Sequence, residues 1–251
     1  MSRGRIEARI YQPSNWTATV TGSASGTATI TASSARYPSD LLAAVAAAFS
    51  TTTGDTVTVT GSLGESGTGL VTIASSANIA VTWVSTSLRD ILGFTGNLSS
   101  GTPHLSTRPL RGVWLPNAEG AFPYGPGDEG HTETDLTTTE SPSGDIKGLV
   151  YNSRVVLPSA RWSHVPRRYA RAYAESQLGE SFETWWTWTQ QGTLAYFLPV
   201  SPVRLYWSAD AGDYKTYRIA SRRGTEMPRT DPNWAGLFDL SLDRLVRIPG
   251  T

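Results

Sequence analysis

Cysteine is absent from the 251 residues. Disulfide staples and thiolate metal sites are therefore excluded, and stability has to come from packing and partners. Charge is scarce as well: Lys, Arg, Asp and Glu make up 17% of the chain, below the usual quarter. Its 21 basic residues balance 21 acidic ones, so no global field draws it to nucleic acid or an anionic membrane. Low charge fits either a Ser/Thr-rich surface or a surface partly buried in an oligomer, because interface cores are depleted of charge. No run approaches the roughly 18 apolar residues of a membrane-spanning helix; Leu41 to Phe49 is too short. Arg3, Arg5, Glu7 and Arg9 interrupt the first residues, so no secretory leader is expected.

What is present alternates. Ile6, Ala8 and Ile10 share one parity while Arg5, Glu7 and Arg9 hold the other, the mark of a strand with one wet face. Trp16–Thr21 and Thr27–Thr31 read as a hairpin around the turn GSASG, residues 22–26. A helix starts at Pro38 or Ser39, with Leu41, Leu42, Val45 and Phe49 on one stripe, and Thr51 to Asp55 breaks it. Val57 and Val59, Val71 and Ile73, and Ile79, Val81 and Trp83 mark three more strands. Ser87 to Phe94 reads as a short helix, with Ser87 as N-cap and Gly93 as its stop. Residues 1–112 thus form an α+β module, a helix on an antiparallel sheet. The stretch 97–112 reads as a polar link.

Residues 113–251 read as a second, β-rich domain. Asn117 to Glu133 is a Gly- and Pro-rich acidic loop carrying Phe122 and Tyr124, and the chain stays polar to Ser143. Loops of this length are binding loops or surface excursions. Lys147 to Leu157 predicts a strand ended by Pro158, and Pro166 opens a helical stretch to Gly192. That stretch is one kinked helix or two, and it holds Trp185, Trp186 and Trp188. Neighbouring helical residues point about 100° apart, so Trp185 and Trp186 are not expected on one narrow core stripe. One is expected against the sheet and another against a neighbour. A meander follows: TLAYFLPV, VRLYWS, YKTYRI and LFDLSLDRLVRI. In the last run Phe238, Leu240, Leu242, Val246 and Ile248 share a face. The fold class expected is α+β, mostly β, with antiparallel sheets (sandwich or barrel-like) and a few flanking helices.

Motifs that carry chemistry are weak. His104, His131 and His164 lie far apart, and His131 with Asp128, Glu129 and Glu133 reads as a solvated acidic loop before a cation site. GSLGESGTG, residues 61–69, lacks the Lys-Ser/Thr ending of a phosphate loop and reads as a hairpin turn. Glu180 and Glu183 have helix-surface spacing. Arg167, Arg168 and Arg171 form a basic strip too small to argue for nucleic acid, beyond passage through a lumen. No catalytic, cofactor or metal residues are assigned.

Two stretches carry a resemblance. Residues 37–97, with "TVTVTGSLGESGTGLVTIASSANIAVTWVS" and the short helix ending Ile91, Leu92, Gly93 and Phe94, resemble a module of tailed-bacteriophage structural proteins. Residues 146–251 resemble siphophage distal-tail or tail-tube-like proteins in their order of elements. That order is a Trp-rich helix ending in Gly, the strand "YKTYRI", the link "DPNWAG" and a last strand "LFDLSLDRLVRI". The resemblance implies a non-enzymatic ring subunit with a β-sandwich or β-barrel core. Its partners would be copies of itself and other virion proteins, with no membrane. Its place would be the virion tail, assembled in the host cytoplasm. The candidate subunit interface is Phe122, Tyr124, Trp185, Trp186 and Trp188. A capsid-associated or decoration protein, and a carbohydrate-binding module using the tryptophans, are the alternatives.

Overall fold

The computed structural model describes residues 5–64, 67–115, 131–140, 146–166, 181–190, 196–198, 202–206, 214–219, 230–232 and 237–248. The chain runs β1 (Arg5–Ala8), β2 (Ile10–Gln12), β3 (Trp16–Thr21), β4 (Ser25–Ile30), β5 (Ser33–Arg36), α1 (Pro38–Thr53), β6 (Val57–Gly61), β7 (Leu70–Ser75), β8 (Ile79–Trp83), α2 (Thr86–Ile91), β9 (Leu98–Gly101), β10 (His104–Pro109) and β11 (Val113–Trp114). It continues as β12 (His131–Glu140), β13 (Ile146–Pro166), α3 (Phe182–Gln190), β14 (Val203–Tyr206), β15 (Tyr214–Ile219), β16 (Thr230–Pro232) and β17 (Leu237–Arg247). The fold is α+β and mostly β, built from antiparallel sheets, with no closed barrel among the described residues.

The first half carries two sheets, β4-β3-β8-β9 and β10-β7-β6. Helix α1 lies along β4 and β6, the edge strands of the two, and so closes one seam between them. It buries Pro38, Leu41, Leu42, Val45, Phe49 and Thr53, and the alanines between them allow close approach. Burying each large side chain of that stripe contributes about 1.5–3 kcal/mol. Phe49 meets Trp83 at 6.2 Å between ring centroids, and Trp83 stacks on Phe94 at 5.6 Å. The helix ends at Gly54 in the left-handed region (φ 73), whose N–H bonds the Ser50 carbonyl.

Several boundaries differ from those expected. Residues 97–112 are not a link: β9 and β10 complete one sheet each. Both are edge strands, and an edge strand needs little apolar alternation, so the pattern hid them. The second helix begins at Thr86, not Ser87. Ser85 precedes it, and its hydroxyl accepts the Thr17 N–H at 2.9 Å instead of capping the helix. Gly93 ends that turn as expected, at φ 79, where a Cβ would run into the Arg108 carbonyl.

The second half centres on an eight-stranded sheet, ordered β11-β1-β14-β15-β17-β13-β12, with β16 also on β17. The expected division at residue 112 does not separate the sheets. Strand β1 leaves the first half and lies between β11 and β14, with Ile6 opposite both Trp114 and Leu205. A single apolar core then runs from Ile10 and Val20 to Trp185 and Leu242. Strand β13 continues through Pro158 to Pro166. Beyond Val156 it pairs only β17 among the described residues, so a proline lacking an N–H is tolerated. Strand β12 falls in the stretch expected to stay polar and loop-like. Strand β13 runs to Pro166, and the first part of the helical stretch expected after it, 167–180, lies outside the described residues. On β17, Phe238, Leu240 and Leu242 are buried as expected, and Leu245, of opposite parity, is buried too. That strand is therefore covered on both faces near its end.

Candidate functional site

Three places in this fold bring chemistry together: α3, the N-terminal end of α1, and the outer part of β12 and β13.

Ser181 starts α3, its hydroxyl accepting the Thr184 N–H at 3.2 Å and its carbonyl the Trp185 N–H at 2.9 Å. The buried side chains are Phe182, Trp185, Trp186, Thr189 and Gln190. That i, i+3, i+4, i+7, i+8 spacing is a stripe more than 100° wide. Trp185 and Trp186 therefore share it, contrary to the narrow-stripe expectation. Phe182 sits between them and Trp114, which it meets edge-on at 4.8 Å. The Trp185 indole N–H donates to the Gly112 carbonyl at 3.0 Å. Trp186 Nε1 is buried with no acceptor among the described residues. Only Trp188 keeps some surface, with the Arg111 guanidinium 4.0 Å over its ring. Trp185 and Trp186 are buried in the chain's own core, so neither is available to a neighbour or a sugar. Phe122 and Tyr124 lie outside the described residues.

The second place was not expected from the sequence. Glu7, on the parity read as wet, is fully buried. One carboxylate oxygen accepts the Arg5 Nε–H at 2.9 Å. The other accepts the Ser39 hydroxyl at 2.7 Å and the Ser39 backbone N–H at 3.3 Å. Tyr37, at the N-cap position of α1, makes no side-chain cap, so a strand distant in sequence supplies the acceptor. A carboxylate at a helix N-terminus also meets the positive end of the helix dipole. Around it runs an alternating stack. Arg5 lies 3.9 Å over the Tyr206 ring, Tyr206 meets Tyr214 at 5.2 Å, and Arg204 lies between Tyr214 and Tyr37 at 4.1 and 4.0 Å. Arg204 also pairs with Asp40 at 2.8 Å. Burial works against its charge, but Asp40 outweighs this and raises its pKa. Burial first, then the charge of Glu7, raises the Tyr206 hydroxyl above its ordinary 10.0, and burial raises Tyr37 likewise. The cluster binds β1, α1, β14 and β15 together. Its legible sequence signal was only the helix start at Pro38 to Asp40. The parity rule pointed Glu7 outward because β1 was read as having one wet face, whereas both of its faces are covered.

The third place is a ribbon. Strands β12 and β13 pair from His131↔Val156 to Glu140↔Ile146, with an irregularity at Asp135/Leu136. Strand β17 joins β13 only from Val156 onward. Residues 146–155 and their β12 partners thus continue past the sheet as two strands, with no third among the described residues. Ten residues of strand span about 33 Å. Among the described residues no three His, Asp or Glu side chains converge to hold a metal ion.

Glu7→Ala should lower stability by about 3–5 kcal/mol in urea unfolding, because Arg5 and the α1 end would be left buried without their counterion. Trp185→Phe should cost about 0.5–1.5 kcal/mol more than Trp186→Phe by the same measurement, since among the described residues only Trp185 donates an indole hydrogen bond, to a Gly112 carbonyl that keeps the Ala8 N–H. Tyr37 and Tyr206 hold their protons more tightly folded than unfolded. Their contribution is therefore complete below the unfolded value of about 10 and lost as pH rises through the folded values. The urea midpoint should fall as pH rises above about 10, and less steeply in Tyr206→Phe.

Comparison with known proteins found no matching family model, no matching curated protein and no matching solved structure.

Proposed function

We propose that this chain is a self-assembling structural subunit of a tailed-bacteriophage virion, belonging to the tail or distal tail, where it forms a ring and connects neighbouring tail proteins. The observation that carries assembly is the ribbon of β12 and residues 146–155. A two-stranded hairpin is marginal in water by itself, and three strands or a packed face are needed for stability. A ribbon reaching about 33 Å past its sheet calls for a partner. The virion assignment draws on the resemblance of the order of elements. An α3 carrying tryptophans is followed by strands that enter one sheet, β14, β15 and finally β17. The low charge content fits surface that is covered in an assembly.

A stable ring should bury on the order of 2,000 Å² or more at each contact. Replacing residues 132–155 by a short Gly/Ser linker should yield monomers by mass photometry. The unaltered chain should give discrete rings in electron micrographs and localise to the tail of imaged particles. An unaltered chain that stays monomeric at micromolar concentration would sink the assembly reading, and a position outside the tail would sink the placement.

A further inference from the structure

Resting on that reading, we infer that the ribbons of successive copies join into one continuous antiparallel sheet, the β12 edge of one copy pairing with residues 146–155 of β13 in the next. Among the described residues neither edge has a strand beside it. The two edges match in length, since β12 has ten residues and the free part of β13 is its paired counterpart.

They also match in charge. Strand β12, HTETDLTTTE, contains Glu133, Asp135 and Glu140 and no lysine or arginine. Residues 146–155, IKGLVYNSRV, contain Lys147 and Arg154 and no acidic residue. Pairing β12 with its own copy would set acidic strand against acidic strand, and pairing β13 with its copy would set basic against basic. Like charges across a ladder destabilise and opposite charges stabilise. The register inside the chain already follows this rule, with Glu133 opposite Arg154. Direction agrees as well. In a ring whose ribbons all run along the symmetry axis, β12 of each copy is antiparallel to β13 of the next, as it is to its own. Such a contact uses two different surfaces, so it is heterologous and closes into a ring when the rotation permits. Closure removes both open edges at once.

The absence of cysteine makes the test clean, because engineered thiols have no competitors. Thr137→Cys would be prepared alone, as would Leu149→Cys, Asn152→Cys and Ser153→Cys. Each would be checked for native circular dichroism, mixed in pairs and oxidised. Cross-strand neighbours lie within disulfide reach. The expected result is a mixed disulfide between Thr137→Cys and at least one β13 variant, with Thr137→Cys alone remaining unlinked. Rings that form without any mixed link, or Thr137→Cys homodimers in equal or greater yield, would overturn this pairing and leave the assembly reading standing. Failure of the unaltered chain to assemble would overturn both. As a second measurement, E133K/D135K/E140K should abolish rings, and adding K147E/R154E in the same chain should restore them. Rings unaffected by the first set would also overturn the pairing.

Discussion

The buried carboxylate of Glu7 is the interaction on which the two halves of this chain depend. It sits on β1, among the described strands of the first 100 residues the one that enters the eight-stranded sheet. It bonds the first turn of α1, the helix that closes a seam between the two smaller sheets. One side chain thereby ties a strand of the large sheet to the helix of the first half. The arrangement is tolerable only because both oxygens have donors, and a buried carboxylate without them would be costly. The stack of Arg5, Tyr206, Tyr214, Arg204 and Tyr37 surrounds it and holds the two arginines over aromatic faces.

From that anchor the aromatic core extends through Trp114 and Phe182 to Trp185 and Trp186. Gly112 matters at this junction. Its positive φ of 80 turns the chain, its carbonyl receives the Trp185 N–H, and the Phe197 ring occupies the space a Cβ would need. The tryptophans that look most like a ligand platform in the sequence are therefore structural. Trp188, packed under Arg111, is the one member with remaining surface.

The contrast with the ribbon is physical. Both oxygens of the Glu7 carboxylate find their donors within one chain. Strand β12 and residues 146–155 of β13 leave rows of backbone donors and acceptors on their outer sides with no neighbour among the described residues.

The sequence by itself determined the elements with strong periodicity. The α1 stripe from Leu41 to Phe49, the alternations around Val57, Val71, Ile79 and Leu240, and the left-handed stop at Gly93 were legible because each is a local rule read over a few residues. The mostly β, antiparallel class followed from them. Tertiary structure decided what local rules do not encode. Strands β9, β10 and β12 lack apolar alternation because an edge strand can pair through its backbone alone. Glu7 is buried against its parity because β1 is covered on both faces by elements from elsewhere in the chain. Trp185 and Trp186 share one face because α3 is enclosed over a wide arc, and the width of a buried arc is set by neighbours, not by the helix's own sequence.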